Sequence, residues 1–153
     1  MPRQTTGFIA IHCSDTKPNM DIGAKEIRQW HVAPPPKGRG WADIGYNFII
    51  RRDGTIEPGR DLDHDGDNFE EIGAHVEGFN SRSVGICMVG GMDYVGKPDN
   101  NFTPEQFKSL ATLVRQTLHI YPGAVVQGHR DFPGVKKACP CFDVKAWWKS
   151  VNS

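Results

Sequence analysis

The sequence predicts an α/β fold in which a central mixed β-sheet is flanked by helices. Short, apolar, β-branched runs alternate along the chain with longer amphipathic segments, which is the pattern of strands interleaved with helices. A chain of 153 residues is long enough for one domain with a substantial core. We therefore expect a single domain over residues 1–153, with its core between about residues 8 and 148.

The first half of the chain predicts a strand, a helix and a hairpin. Residues 8–14 are largely apolar, with His12 near the carboxyl end, and such a run is typical of a buried strand. Residues 23–33 have helical periodicity and are followed by three prolines, which end the helix. Residues 45–57 contain two β-rich runs around Asp53-Gly54, and this dipeptide is a strong hairpin signal.

The second half predicts two strands, each followed by a helix. Residues 83–89 are apolar and end at a glycine pair, as expected for a buried strand. Thr103, followed by Pro104 and Gln106, has the pattern of a capping box that begins an amphipathic helix. Residues 124–127 form a short strand, and Asp143 is placed to cap a last helix.

Composition excludes several classes of partner. Eighteen basic and eighteen acidic residues leave no net charge, which argues against a protein that binds nucleic acid directly through phosphate neutralisation. The amino terminus lacks the apolar run of a signal peptide, and no segment has the length of a membrane span, so we expect synthesis in the cytoplasm and no membrane association. In that compartment the four cysteines serve packing, metal binding or chemistry more often than disulfides.

The segment 128–143 has the composition of half a metal site. A strand delivers His129 at its end, and prolines and a glycine then force an irregular loop. His129 and Cys139, ten positions apart, can converge on one ion across such a loop. Zinc binds imidazole nitrogen at about 2.0–2.1 Å and thiolate sulfur at about 2.3 Å, and a catalytic zinc usually has three protein ligands.

His12 is the obvious donor of a third ligand. It lies at the carboxyl end of the first predicted strand, which is where α/β folds place their sites. The alternative is that His12 is a hydrogen-bonded residue of the core or surface, which is the more common role of an isolated histidine at a strand end.

The acidic segment 61–71 is similar to the opening of an EF-hand calcium loop. Asp61, Asp63, Asp65 and Gly66 fit that pattern, but Ile72 stands where a bidentate glutamate is required, and no helices are predicted on either side. We interpret the segment as a solvated acidic loop.

Taken together, these motifs resemble the zinc-dependent N-acetylmuramoyl-L-alanine amidases of the type 2 family, whose fold is shared with peptidoglycan recognition proteins. Within that family the chain is most similar to the short lysozymes, or endolysins, of T-odd bacteriophages. The matching segments extend from about Phe8 to Trp148 and occur in the family's order: HCS at 12–14, EIRQWH at 26–31, GYNFII at 45–50, SVGIC at 83–87, VGG at 89–91, NFTP at 101–104 and KACP at 137–140.

The resemblance implies a residue set and an activity. It implies that His12, His129 and Cys139 bind Zn²⁺ and that Tyr46 and Lys137 are catalytic. It places His75 near the substrate, and we predict Asn80, on the same loop, as a second substrate-binding residue. The implied reaction is hydrolysis of the amide bond between N-acetylmuramic acid and L-alanine in peptidoglycan, by a monomeric endolysin that reaches the cell wall from the host cytoplasm through a holin-type pore.

Some alternatives stay open at this point. Cys141, two positions from Cys139, is a possible substitute or additional ligand. The chain could also be a non-catalytic peptidoglycan-binding module of the same fold, although retention of Cys139 and Tyr46 favours an enzyme. A phage RNA polymerase is a third kind of partner, against which the neutral charge and the short, dissimilar amino terminus argue.

Overall fold

A computed structural model describes residues 5–152 of the chain. Two expectations concern the amino terminus: that it lacks a signal peptide, and that its short, dissimilar sequence argues against a polymerase partner. Both rest partly on residues 1–4, which lie outside the described residues. The strands are β1 (Phe8–Cys13), β2 (Phe48–Ile50), β3 (Ile56–Pro58), β4 (Ser83–Met88) and β5 (Val125–Gly128). The α-helices are α1 (Ala24–Val32), α2 (Pro104–Ile120) and α3 (Val144–Val151), and two short 3-10 turns span Asn80–Arg82 and His129–Asp131.

The five strands form one mixed sheet in the order β3-β2-β4-β1-β5. Neighbours are parallel except for β2 and β3, which are antiparallel and form the predicted hairpin around Asp53-Gly54. Gly54 in that turn has φ of +90°, a conformation that glycine adopts without strain. The prediction of a central mixed sheet with helices is therefore confirmed.

The capping box predicted at the start of α2 is present and ties the helix to the sheet. The hydroxyl of Thr103 accepts a hydrogen bond from the Gln106 backbone N–H at 3.1 Å, and the Gln106 side chain accepts one from the Thr103 N–H at 3.0 Å. The amide nitrogen of Gln106 also donates to the carbonyls of Ile50 (3.1 Å) and Val89 (2.8 Å). Because Gln106 is fully buried, these bonds hold α2 in place beside β2 and β4.

The core lies on both faces of the sheet. Beneath α1, a smaller cluster contains Ile22, Ala24, Ile27, Ile44, Ile49, Cys87 and Val89. The larger cluster, which α2 and α3 cover, contains among others Ile9, Ile11, Ile50, Ile86, Met88, Leu110, Leu113, Val114 and Val144. Asp143 caps α3 as predicted, since its carboxylate accepts a hydrogen bond from the Ala146 N–H at 3.1 Å.

The acidic segment differs from the expected solvated loop at two residues. Asp63 and Asp65 are exposed, but Asn68 is 8% and Glu71 only 2% exposed, so the interpretation is wrong for these two. Carboxylate oxygens of Asp61, Asp63, Asp65 and Glu71 lie within 4.8 Å of one another. Asp61 and Asp63 accept hydrogen bonds from backbone N–H groups of the same loop, which accounts for its compact course.

Among residues 5–152, the longest helix has 17 residues, and no helix combines the length and the apolarity that crossing a bilayer requires.

Candidate metal centre and active site

The candidate centre lies at the carboxyl ends of two neighbouring parallel strands. In the β1–β5 pair Ile11 is opposite Gly128, so the next residue on each chain segment is a histidine, His12 and His129. The two imidazole rings are 4.5 Å apart between centroids. His12 is 1% exposed and His129 is half-buried, so the pair is covered by the sheet on one side and accessible on the other.

The loop after His129 folds back and brings Cys139 to the same place. The Arg130 N–H donates to the Cys139 carbonyl at 2.9 Å, and the Cys13 N–H donates to the Cys139 sulfur at 3.2 Å. Gly128 makes this close approach possible, because a Cβ on it would lie 2.8 Å from Cδ of Pro140. A ligand atom from each of His12, His129 and Cys139 lies within 4.8 Å of the other two.

Cys141 points away from this group. Its sulfur donates a hydrogen bond to the Gly91 carbonyl at 3.2 Å, and a hydrogen bond with Cys13, followed by burial, raises the pKa of the Cys141 thiol. Among the described residues, Cys141 is not part of the group of donors around His12. The geometry therefore favours Cys139 over Cys141 as the sulfur ligand.

Both histidines of the centre are held in the neutral form. Burial is the largest cause of a pKa of His12 well below its usual range, followed by the charges of His75, His129 and Lys137. Burial and then Lys137 likewise lower the pKa of His129. Neutral imidazole is the form that binds metal ions, so neither histidine has to lose a proton before binding a metal near neutral pH.

Lys137 is exposed on the loop, and its charge lowers the pKa of both imidazoles, so it lies near enough to the centre to act on it electrostatically. In this position an ammonium group can contact a substrate oxygen that approaches the histidines.

Tyr46 lies next to His12, just before β2. The two rings are 5.1 Å apart between centroids. Burial, followed by Cys87, Cys139 and Cys13, raises the pKa of Tyr46 well above its usual range. The phenol therefore stays protonated at neutral pH and can donate a hydrogen bond.

Next to Tyr46 lies His31, which belongs to the matched EIRQWH segment but had no predicted role. Its ring is 5.6 Å from that of Tyr46, and its Nδ1 accepts a hydrogen bond from the Gly45 N–H at 2.9 Å. Burial, with smaller effects from Arg39 and Arg60, lowers the pKa of His31 to about 4. A neutral His31 therefore fixes the backbone immediately before Tyr46.

His75 and Asn80 lie behind the centre. His75 is 9% exposed, and its Nδ1 is 2.9 Å from Nε2 of His12. The Asn80 side-chain oxygen accepts hydrogen bonds from the N–H groups of His75 (2.7 Å) and Val76 (2.8 Å). Their substrate-binding role stays a prediction; among the contacts observed are those of His75 with His12 and of Asn80 with the loop backbone.

Two residues that contact His75 were missed by sequence analysis. Ser83 lies at the start of β4 with its hydroxyl 3.4 Å from Nε2 of His75, and Gly85 leaves room for the ring. A glycine inside a strand is a known sign of close approach by another group, so Gly85 was a usable signal. Ser83 lies in the matched SVGIC segment, but nothing in that segment indicated a contact with His75.

Comparison with known proteins identifies the family of this chain. The family model for N-acetylmuramoyl-L-alanine amidases matches residues 2–142. An endolysin of Klebsiella phage KP32 is 51% identical over 147 residues, covering 96% of this chain and 88% of the relative. An endolysin of Escherichia phage T7 is 48% identical over 147 residues, with the same coverage.

A solved structure gives the same result for the fold. The endolysin amidase LysCS from Clostridium intestinale URNW superposes with a TM-score of 0.74 and 29% identity, covering 97% of this chain and 84% of that one. The resemblance inferred from the motifs is thus confirmed, and so is the type 2 amidase fold. This chain belongs to the N-acetylmuramoyl-L-alanine amidase family.

Proposed function

We propose that this chain is a zinc-dependent endolysin that hydrolyses the amide bond between N-acetylmuramic acid and L-alanine in peptidoglycan. The observation that carries the proposal is the convergence of His12, His129 and Cys139, whose donor atoms lie within 4.8 Å of one another, in a chain of the amidase family.

The donor set fits zinc on chemical grounds. Two neutral imidazoles and one thiolate are ligands that zinc prefers in proteins. Three protein ligands leave a coordination position for water or substrate, which is typical of catalytic rather than structural zinc. When bound at such a site, zinc lowers the pKa of water to about 7 and polarises a carbonyl group.

Lys137 stabilises the negative charge that develops on the amide oxygen when water adds to the carbonyl carbon. This role is supported by its exposure and by its charge, which lowers the pKa of both His12 and His129. A preorganised cation beside this oxygen favours the tetrahedral state over the planar substrate.

Tyr46 supplies a hydrogen bond from a phenol that stays protonated at neutral pH. Its ring lies 5.1 Å from that of His12 between centroids, so the phenol is next to the candidate centre. From there it can orient the attacking water or assist proton transfer to the leaving amine of L-alanine.

The biological setting follows from the same proposal. The enzyme is made in the host cytoplasm, reaches the cell wall through a holin-type pore and cuts the stem peptides from the glycan strands. Peptidoglycan is its macromolecular substrate, and the wall loses its cross-links as a result.

The test is digestion of purified Gram-negative peptidoglycan with and without a zinc chelator, followed by mass spectrometry of the released fragments. We expect free stem peptides that begin at L-alanine, lost on chelation and restored by added zinc. His129→Ala should abolish release, whereas His119→Ala, an exposed position on α2, should not. Intact glycan–peptide linkages under every condition, with folded protein, would refute the amidase proposal.

A further inference from the structure

One of the two ring nitrogens of His12 is already engaged by another residue. Nε2 of His12 lies 2.9 Å from Nδ1 of His75, and both side chains are buried. A nitrogen that binds a metal ion uses its lone pair for the metal and cannot take part in a ring-to-ring hydrogen bond as well. The nitrogen of His12 that remains for a metal is therefore Nδ1.

This assignment fixes the direction of the hydrogen bond. A neutral imidazole carries one proton, so His12 can bind a metal through Nδ1 only if its proton is on Nε2. Nε2 then donates to Nδ1 of His75. In the opposite direction His75 would donate, the proton of His12 would be on Nδ1, and the metal-binding lone pair would be lost.

The next contacts satisfy His75 in this form. With Nδ1 as acceptor, its proton is on Nε2, which lies 3.4 Å from the Ser83 hydroxyl oxygen. That hydroxyl donates its own proton to the Phe79 carbonyl at 2.8 Å, so its lone pairs can accept. The donors thus follow one direction, from His12 through His75 and Ser83 to a backbone carbonyl.

The position of the His75 ring is fixed from several sides. Asn80 binds the N–H groups of His75 and Val76, which holds the backbone of the loop. Gly85 faces the ring so closely that a Cβ there would lie 2.6 Å from it, and a Cβ on Gly73 would lie 2.7 Å from it. A ring held this tightly keeps its nitrogen at one distance from His12.

We propose that His75 is a positioning residue that selects the Nε2–H tautomer of His12 and orients its Nδ1 toward the metal. This inference rests on the zinc site proposed above. The residue acts through His12 and contacts neither the metal nor the reacting atoms. Mutation of a residue that hydrogen-bonds a metal-binding histidine typically lowers metal affinity or activity by about 10- to 100-fold, and we expect a loss of this size when His75 is removed.

The first experiment measures zinc affinity of the full chain by competition with a chromophoric chelator. His75→Ala should weaken zinc binding by about 10- to 100-fold. His75→Asn should recover most of the affinity, because the side-chain oxygen of asparagine can accept where Nδ1 does. Ser83→Ala should give a smaller loss, since it removes the second link only, and His119→Ala is the matched control with wild-type affinity.

The second experiment reads the tautomer of His12 directly from its ¹⁵N chemical shifts in the metal-free protein. The wild type should show the Nε2–H form, and His75→Ala should show a mixture of tautomers. A merely structural role would lower the melting temperature of His75→Ala and leave the tautomer of His12 unchanged.

The outcomes separate the two proposals. Wild-type protein that binds no zinc would refute the zinc site itself. The positioning role alone would be overturned if folded His75→Ala binds zinc within twofold of the wild-type affinity. It would also be overturned if the tautomer of His12 does not change in this variant. If His75→Ala does not fold, the comparison of Ser83→Ala and His75→Asn with wild type decides in the same way.

Discussion

A methyl group at Gly85 should displace His75 and, with it, His12. An ideal Cβ at this position lies 2.6 Å from Cδ2 and Cγ and 2.7 Å from Nδ1 of His75. Carbon atoms in contact are normally about 3.5–4.0 Å apart, so in Gly85→Ala the ring must move by about 1 Å. Because Asn80 holds the backbone of His75, this displacement has to occur at the contact with His12.

The expected cost has two parts. Overpacking a buried site costs about 1–3 kcal/mol. For a chain of this size each kcal/mol lowers the melting temperature by about 2–4 °C, so we expect a decrease of roughly 2–12 °C. Loss of the 2.9 Å contact between His12 and His75 should also weaken zinc binding by about tenfold or more.

Thermal unfolding followed by circular dichroism, together with the chelator competition, measures both parts. Gly123→Ala is the matched control, because a Cβ on Gly123 meets no atom within 4 Å. It should leave zinc affinity unchanged and alter stability by less than about 1 kcal/mol. A Gly85→Ala protein with the melting temperature and zinc affinity of the wild type would show that the ring has room to move, and would refute this explanation.

Three further predictions concern the loop and the residues around it. Cys139→Ser should lower turnover by about 10²-fold or more, because a bound metal contributes several kcal/mol to transition-state stabilisation. Cys141→Ser should retain zinc and activity. The reverse result in metal content and activity would identify Cys141 as the ligand. Lys137→Ala should reduce kcat by about 10²- to 10³-fold with little change in zinc content. An equal or larger loss of kcat in Lys136→Ala would show that Lys136, not Lys137, has this role. Burial is the main reason why the pKa of His31 is lowered to about 4 in the folded protein. The unfolded chain therefore binds a proton at His31 more readily than the folded chain does. The stability that neutral His31 contributes is complete above about pH 6.5 and is lost as the pH falls toward 4. His31→Asn, which keeps a hydrogen-bond acceptor, should therefore lose less melting temperature than wild type between pH 7 and pH 5, and equal losses would contradict the assignment.

Local signals in the sequence were sufficient for the five strands and the three α-helices, but not for the two 3-10 turns. Asp53-Gly54 predicted a hairpin because a tight turn favours glycine at positive φ, and Gly54 has that conformation. Thr103 and Gln106 predicted the start of a helix because each side chain satisfies a backbone group of the other. Such interactions span three or four residues, so they are determined by adjacent sequence.

The donor types of the candidate site were also evident, but their grouping was not. His129 and Cys139 are ten positions apart on one irregular loop, so their convergence could be proposed from the sequence. Choosing between Cys139 and Cys141 required the course of the loop, which turns one sulfur toward the N–H of Cys13 and the other toward the carbonyl of Gly91. The burial of Glu71 was missed for a similar reason, because nothing within the acidic segment indicates which carboxylate the fold covers.

By itself, the sequence determined the α/β class, the amidase family and the chemical types of the ligands, since these depend on residue identity and on order along the chain. Only the tertiary structure placed His75 against His12, 63 positions away, and Ser83 behind it. That contact depends on the parallel pairing of β1 with β4, which brings distant segments side by side. Hydrogen bonds across such a pairing leave no periodic pattern in the sequence, and for that reason the surroundings of the histidines were visible only in the folded chain.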